Sequence, residues 1–323
     1  MFIGVDGGGT KTAFIIIDQS GTIKARHIEG TCSYLAIGIE NTRQVLENGI
    51  KVLLDKSDLQ TSDIKYAFFG LPSFGEDKKM EAVLADIPSS IFQKDTYSCR
   101  NDTICGWAGS LSCADGINIV AGTGSISYGE YKGKWARVGG WGELFGDEGP
   151  AYKIACDGLN LFTKMSDGRL EKGPLYEILR TRLSLKADLD LPGIILDDWD
   201  GNRSKIASLS RLMSDAAHEG DDHVISIFNH AGYELAQIID ATRRKLAFPA
   251  TMRVKYSYSG GVFKAGDLIL NPIKNALESE YEIVKPRFSP MVGAALYAAK
   301  LSGQPFDEKT LSIIEKQELD CGS

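Results

Sequence analysis

Histidine is scarce in this sequence, with four residues among 323, and none of them lies in an HExxH motif. The six cysteines include no CxxC pair. The spacing of Cys99, Cys105 and Cys113 matches no common zinc-binding pattern. We therefore expect no metal site built from protein ligands alone. Cysteines without pairing motifs are typical of structural thiols in a reducing compartment.

Long apolar runs and clusters of positive charge are also missing. No apolar stretch reaches the roughly 18 residues that a membrane span requires. The N-terminus lacks the basic region and cleavage site of a secretory signal. The formal net charge of -7 disfavours nucleic acid or an anionic membrane as the main partner. These features predict a cytoplasmic protein that binds neither membranes nor nucleic acids.

Glycine, in contrast, is concentrated near the start of the chain, in the stretch GVDGGGTKT from Gly4 to Thr12. Short β-branched runs lie on both sides, so the pattern predicts a strand, a glycine turn and a second strand. A P-loop and a dinucleotide-binding fingerprint both need a helix directly after the glycines, which excludes both. In a hairpin turn, backbone N–H groups of glycines can approach a phosphate without obstruction from Cβ atoms.

The same strand–turn–strand pattern returns roughly 115 residues later, beginning at Ile117–Val120. Each copy consists of a β-meander, and α/β segments follow it. The repeat therefore predicts an internal duplication, with an N-terminal domain over residues 1–113 and a C-terminal domain with helical additions over 114–323.

Hydrophobic spacing predicts the remaining elements. Helices are expected near residues 41–56, 76–84, 102–111, 151–163, 174–183, 203–218, 222–246, 267–279 and 291–301. Further strands are expected near 64–69, 96–99, 253–258 and 281–284. The acidic stretch 187–201 is expected to be a surface loop, and the helix near 291–301 is expected to be the last.

Five motifs in a fixed order carry a resemblance to known proteins. They are DGGGTKT at 6–12, Asn101-Asp102, GTGS at 122–125, GGWGELFGDEG at 139–149 and YSGGV at 258–262. The set resembles the actin/hexokinase/Hsp70-type ATPase superfamily. Within that superfamily it resembles the BadF/BadG/BcrA/BcrD ATPase family, and in particular its N-acetylglucosamine kinases, over essentially the whole chain.

The resemblance implies an α/β fold of two duplicated βββαβαβα domains, ribonuclease H-like and actin-like, with a nucleotide cleft between them. It also implies ATP and Mg²⁺ as cofactors, with Asp6 holding hydrated Mg²⁺. The implied nucleotide-binding residues are Gly7, Gly8, Gly9, Thr10, Lys11, Gly122, Thr123, Gly124, Gly260 and Gly261. The alternative for Lys11 is an ordinary surface lysine.

Asp102 is the expected general base. A sugar hydroxyl is a poor nucleophile at neutral pH, so a carboxylate within hydrogen-bond reach should accept its proton. Asp102 follows a predicted strand and begins a predicted helix, a position that suits a plain N-cap equally well. The resemblance favours the catalytic role.

The resemblance places the sugar near Ser33, Asn101, Gly140, Trp141 and Asp147. An aromatic ring beside a carboxylate is a reasonable sugar site, although Asp147 could also belong to a simple acidic turn. Two positions depart from the N-acetylglucosamine kinase pattern, because Ser33 and Ile126 stand where those kinases commonly carry asparagine.

The expected activity is therefore ATP-dependent phosphorylation of N-acetylglucosamine at its 6-hydroxyl. Glucosamine and N-acetylmuramic acid remain open as substrates because of the two departures. A second hypothesis is an ATPase that activates a 2-hydroxyacyl-CoA dehydratase or benzoyl-CoA reductase through a shared [4Fe–4S] cluster. A third is a non-catalytic ATP-binding regulator. Homodimers are common in the family, although nothing in the sequence itself indicates one.

Overall fold

The computed structural model describes residues 1–277 and 279–320. The chain forms two compact units, and Gly116–Ile283 make up the second of them. The first unit combines Met1–Asp115 with the described residues from Val284 onward. The predicted division placed everything after residue 113 in one C-terminal domain. The structure differs from Val284 onward, because the late helices pack on the N-terminal sheet.

The first unit is built on a sheet of five strands in the order β3-β2-β1-β4-β5. The strands are β1 (Phe2–Gly7), β2 (Lys11–Ile17), β3 (Ile23–Gly30), β4 (Tyr66–Leu71) and β5 (Tyr97–Asn101). The first three form an antiparallel meander, and β4 and β5 run parallel to β1. Both faces of β2 are buried, with Phe14 and Ile16 in one apolar cluster and Ile15 and Ile17 in another. The continuous apolar run of β2 follows from this burial on two faces.

Six α-helices complete the first unit within the part of the chain that the structure describes. They are α1 (Tyr34–Ile37), α2 (Ile39–Ser57), α3 (Lys78–Asp86), α4 (Thr103–Leu111), α11 (Pro290–Leu301) and α12 (Glu308–Asp320). Helix α2 packs Leu46, Ile50 and Leu53 into the cluster around Phe14 and Ile16, at the spacing of one helix face.

Helix α11 is rich in glycine and alanine because it lies unusually close to its neighbours. A Cβ added to Gly293 would lie 2.1 Å from the carbonyl oxygen of Cys105 in α4. A Cβ added to Gly4 in β1 would lie 2.3 Å from the backbone nitrogen of Ala295. Neither contact is compatible with a larger side chain, so the small residues fix how α11 sits against α4 and β1.

The second unit repeats the strand arrangement of the first. Its strands are β6 (Gly116–Ala121), β7 (Ser125–Tyr131), β8 (Lys134–Gly139), β9 (Val254–Ser259) and β10 (Tyr281–Ile283). Their order is β10-β9-β6-β7-β8, again an antiparallel meander extended by parallel strands. The predicted duplication is confirmed, and the fold is of the predicted two-domain α/β class.

The helices of the second unit are α5 (Ala151–Ser166), α6 (Pro174–Arg182), α7 (Arg203–Ser208), α8 (Ser210–His218), α9 (Asp222–Leu246) and α10 (Asp267–Ala276). The prediction of one helix over 203–218 was wrong in detail, because α7 and α8 are separate helices joined at Leu209. The acidic stretch 187–201 contains short helical turns, Asp188–Asp190 and Gly193–Asp198. Over the described residues, no helix combines the length and apolar character that crossing a membrane requires.

Helix α12 was not predicted. Its core contacts come from Leu311 and Ile314, a narrow apolar stripe among charged residues. Arg287 pairs with Glu308 and Glu315 on this helix and attaches it to the segment before α11. A narrow stripe with alternating charge gives a weak helical signal in sequence, which explains why it was missed.

Replacing Ile314 with alanine should lower the free energy of unfolding by about 2–4 kcal/mol, because its side chain is fully buried against β2 and α11. The matched control is Ile313→Ala, since the neighbouring isoleucine is 39% exposed. Urea unfolding of both variants measures the difference. Equal losses in the two would mean that α12 does not cover this part of the core.

Candidate active site

The first glycine turn is a hairpin, as the sequence predicts. It joins β1 to β2, with Gly7 paired to Thr12. The N–H of Gly8 donates to the carbonyl oxygen of Lys11 at 2.9 Å and closes the turn. Gly9, Thr10 and Lys11 are exposed at its tip.

Glycine stands at positions 7 and 9 of this turn for different structural reasons. A Cβ on Gly7 would lie 2.5 Å from Sγ of Cys32 and 2.8 Å from the carbonyl oxygen of Gly70, so packing requires glycine there. A Cβ on Gly9 would meet nothing within 4 Å, and its φ is not in the left-handed region. The fold itself does not require glycine at position 9. The open space beside it is therefore suited to a group such as a phosphate.

The glycines of the second turn and of the segment 258–262 also differ in whether packing or backbone conformation requires glycine. Gly122 donates to the carbonyl oxygen of Gly124 at 2.9 Å and accepts from the N–H of Ala151, also at 2.9 Å. An added Cβ at Gly122 or Gly261 would meet nothing within 4 Å. Gly260 is different, since its φ of 108° and its closeness to Ala121 demand glycine. Open space at Gly122 and Gly261 fits a nucleotide at these positions.

Two carboxylates of the first unit lie on either side of Gly70 in β4. Asp6 is paired with Gly70 in the β1–β4 register, and Asp102 follows β5. A Cβ on Gly70 would lie 2.2 Å from Sγ of Cys105 and 3.2 Å from Cα of Asp102. The missing side chain thus leaves room for the Cys105 thiol and for the backbone of Asp102.

The pKa of Asp6 reflects this arrangement. Burial, followed by the charge of Asp102, raises the Asp6 pKa from its usual 3.8 to about 7, while a hydrogen bond from Cys105 and the charge of Lys11 oppose the rise. A carboxylate that is half ionised near neutral pH beside a second carboxylate is a common feature of functional sites. Lys11 is thus exposed yet close enough to favour the ionised form of Asp6.

Asp102 stands at the N-cap position of α4, but its carboxylate does not accept the cap hydrogen bond. The side chain of Asn101 does so instead, because its Oδ1 accepts from the N–H of Thr103 at 3.2 Å and from the Thr103 hydroxyl at 2.7 Å. Its amide nitrogen donates to the carbonyl oxygen of Phe74. The interpretation of Asp102 as a plain cap therefore loses its support. Asn101, expected near the sugar, has its amide engaged by the protein.

The pair Asp6 and Asp102 fits a hydrated magnesium ion. Mg²⁺ is usually held by one or two carboxylates, with waters and substrate phosphates completing its coordination. Across residues 1–277 and 279–320, no group of three or more His, Cys, Asp and Glu side chains is arranged to hold a metal. Two carboxylates beside an open glycine turn match the donor set that Mg²⁺ prefers.

The segment that carries Ser33 is hydrogen-bonded to the first glycine turn. The Thr31 hydroxyl donates to the carbonyl oxygen of Gly8 at 2.8 Å and accepts from the N–H of Ser33 at 3.0 Å. Ser33 is buried at the start of α1, and its hydroxyl does not cap that helix. The structure therefore brings Ser33 to the same end of the sheet as the turn. Thr31 had no sequence signal of its own.

The block over 139–149 forms a loop with repeated left-handed backbone. Gly140, Gly142 and Asp147 all have positive φ, which is 57° at Asp147. The Asp147 side chain is only 6% exposed, and its Oδ1 accepts from the N–H of Gly142 at 3.3 Å. Trp141 is 74% exposed. The loop thus presents an apolar ring and, close to it, a buried carboxylate.

Arg203 is the main residue that sequence reasoning missed. Its guanidinium hydrogen-bonds Asp147 and pairs with Glu143 at 3.1 Å. Arg203 begins α7 and is far from both partners along the chain. No local motif marks such a contact, so only the tertiary structure reveals it.

Duplicated meanders with glycine turns form the two-domain α/β fold of the predicted class. The chain belongs to the BadF/BadG/BcrA/BcrD ATPase family, whose model matches residues 3–298.

Several relatives are similar over nearly their whole length. The N-acetyl-D-glucosamine kinase of Dictyostelium discoideum is 29% identical over 310 residues, which is 92% of this chain and 97% of the relative. An N-acetylmuramic acid/N-acetylglucosamine kinase of Clostridium acetobutylicum is 29% identical over 285 residues, 88% and 92% of the two chains. A crystal structure of a candidate N-acetylglucosamine kinase from Chromobacterium violaceum shares the fold, with a TM-score of 0.70, 24% identity and coverage of 91% and 97%.

Asp6→Asn should stabilise the metal-free protein above pH 7. With a pKa near 3.8 unfolded and about 7 folded, Asp6 keeps its proton longer in the folded state, so its ionisation lowers stability as pH rises from about 4 to about 7. The full shift corresponds to about 4 kcal/mol, so a gain of about 1–4 kcal/mol is expected at pH 8.5.

Thermal unfolding in EDTA at pH 8.5 and at pH 4.5 measures the effect. The advantage of Asp6→Asn should shrink toward the lower pH. An advantage of constant size at both pH values would contradict the electrostatic explanation and assign the effect to packing.

Proposed function

We propose that this protein transfers the γ-phosphoryl group of ATP to the 6-hydroxyl of N-acetylglucosamine. The observation that carries the proposal is the pair Asp6 and Asp102 around Gly70, at the end of the sheet where the first glycine turn leaves open space. The amino sugar is supported by the names of the two relatives, which both include N-acetylglucosamine.

Asp102 is the proposed general base. It follows β5 and lies close enough to Asp6 for its charge to raise the Asp6 pKa, and a carboxylate at this position can accept the proton of a hydroxyl group. Asp6 is proposed to hold hydrated Mg²⁺, which when bound neutralises phosphate charge. Phosphoryl transfer depends mostly on positioning and charge neutralisation, and two carboxylates with separate roles match that need.

The nucleotide is proposed to bind at the glycine turns. In the first turn the backbone of Gly8 and Gly9 and the side chain of Lys11 would contact phosphates, with Gly7 and Thr10 shaping the turn. In the second unit, Gly122, Thr123 and Gly124 would contact phosphate, and Gly260 and Gly261 would lie under the adenosine. The open space at Gly9, Gly122 and Gly261 supports these assignments.

The proposed sugar-binding residues are Asp147, Trp141 and Gly140 in the second unit and Ser33 and Asn101 in the first. Asp147 would accept hydrogen bonds from sugar hydroxyls, and Trp141 would cover an apolar face of the ring.

Ile126 reduces the number of polar side chains that can contact the sugar. A Cβ on Gly140 would lie 2.7 Å from Cδ1 of Ile126, so an apolar side chain lies directly beside this part of the proposed pocket. This contact supports a role for Ile126 in sugar choice. Glucosamine and N-acetylmuramic acid therefore stay in the substrate panel.

We further propose that the enzyme acts in the cytoplasm. Cys32 and Cys99 are buried thiols that form no disulfide, and burial raises the pKa of Cys32 to about 11 and that of Cys99 to about 12. Protonated, buried thiols suit a reducing compartment.

The decisive experiment is ADP release with Mg-ATP across a panel of sugars. The panel contains N-acetylglucosamine, glucosamine, N-acetylmuramic acid, N-acetylmannosamine and glucose, with a reaction without sugar as the baseline. The strongest response should be to N-acetylglucosamine, and NMR of the product should show phosphate on the 6-oxygen. A flat panel would reject the kinase proposal, and iron–sulfur absorbance after anaerobic purification would then favour the reductase activator.

Asp102→Asn should reduce kcat by about 10²–10⁴-fold, because the amide cannot accept the hydroxyl proton. Nucleotide affinity, measured by calorimetry, should stay near that of the wild type. Asp307→Asn is the matched control, because Asp307 is a carboxylate that accepts from the backbone N–H and the side chain of Thr310 at the start of α12. Full activity of Asp102→Asn would remove Asp102 as the base.

A further inference from the structure

Arg203 connects two parts of the 139–149 loop. Its guanidinium hydrogen-bonds the buried carboxylate of Asp147 and pairs with Glu143 at 3.1 Å. Its own side chain is about one-third exposed, and its Nε is buried without a hydrogen-bond partner among the described residues. The guanidinium of Arg203, which lies outside the loop in sequence, thus binds the carboxylates of both Asp147 and Glu143.

Arg203 also lies against the second glycine turn. A Cβ on Gly124 would lie 2.6 Å from Oδ2 of Asp147 and 2.9 Å from Nη2 of Arg203, so only glycine permits this approach. The guanidinium lies 5.8 Å from the ring centroid of Tyr152. Tyr152 in turn donates its N–H to the carbonyl oxygen of Thr123 at 3.4 Å. Arg203 therefore joins the loop to the turn at residues 122–124.

The contacts of Asp147 leave it able to accept further donors. An ionised carboxylate has about four acceptor sites. Oδ1 accepts from the N–H of Gly142, and Oδ2 accepts from Arg203. Each oxygen thus retains capacity for one more hydrogen bond. Its orientation is fixed from two sides before any ligand arrives, and a buried carboxylate without a counter-charge would be strongly unfavourable.

We propose that Arg203 is a positioning residue for the sugar. It fixes the Asp147 carboxylate in the orientation that accepts two sugar hydroxyls, and it holds that carboxylate beside the second glycine turn. Arg203 itself does not contact the sugar and acts through Asp147. This inference rests on the proposed function, because it assigns a role within the same sugar site.

The test compares Arg203→Met and Arg203→Lys with the wild type in steady-state kinetics. Arg203→Met should raise the sugar KM at least tenfold and leave the ATP KM within twofold, because Asp147 loses its fixed orientation. Arg203→Lys keeps the charge but not the planar guanidinium, so it should recover part of the loss. A melting curve of each variant checks that it is folded.

Arg180→Met is the matched control. Arg180 forms a comparable, partly buried ion pair with Asp188 in the same unit, outside the loop and the glycine turns. It should leave both KM values near wild type, so a general loss of stability cannot explain the effect of Arg203→Met. If Arg180→Met raises the sugar KM as much as Arg203→Met does, the positioning role is overturned.

A double-mutant cycle with Asp147→Ala tests whether Arg203 acts through Asp147. The double variant should have a sugar KM no higher than that of Asp147→Ala alone. Additive losses, or equal increases in the sugar and ATP KM values for Arg203→Met, would overturn the proposal.

Hydrogen exchange of the Gly142 amide in the ligand-free protein tests the role of Arg203 without relying on kinase activity. That amide donates to Asp147, so Arg203→Met should speed its exchange while Arg180→Met should not. If the wild type phosphorylates no sugar, the kinase proposal fails, and faster Gly142 exchange in Arg203→Met still supports the fixing of Asp147. Unchanged Gly142 exchange would overturn the role of Arg203 whether or not the enzyme is a kinase.

Discussion

The absence of a side chain at Gly70 is the constraint on which the first unit depends. Gly70 lies in β4, between β1 with Asp6 and β5 with Asp102 directly after it, and the missing side chain lets Cys105 and the backbone of Asp102 approach closely. Helix α11 keeps this arrangement tight, since Gly293 brings it into close contact with α4. The result places two carboxylates close enough for the charge of one to raise the pKa of the other. Such unfavourable electrostatics persist only where surrounding packing enforces them.

Glycine serves three separate purposes in this chain, and the structure distinguishes them. Gly70 and Gly124 permit close approach of neighbouring atoms, while Gly140 and Gly260 supply left-handed backbone. Gly9 meets neither condition, because space is open around it and its φ is ordinary. A glycine that the fold does not need leaves room for a ligand, and this is the basis of the proposed role of Gly9 within the motif.

The sequence predicted what is encoded locally. The hairpin turns, the duplicated meander and most helices depend on neighbouring residues, and the structure has them in place. The position of α11 on the first sheet was not predictable, because Gly4 and Ala295 meet only after folding. Arg203 and Asp147 are similarly distant in sequence, so no spacing rule could pair them. Helix α12 was missed because Leu311 and Ile314 give it too little apolar periodicity.

The insertion of the second unit within the first affects how the protein can fold during synthesis. Helix α11 covers the face of the first sheet that carries Ile15 and Ile17. It is translated about 175 residues after the first segment of that unit ends, a delay of roughly 10–35 s at ordinary elongation rates. During that interval the nascent chain exposes an apolar sheet surface on the ribosome. Synthesis of the first unit thus starts first, but its folding is completed last. The exposed apolar surface makes the growing chain a suitable substrate for chaperones.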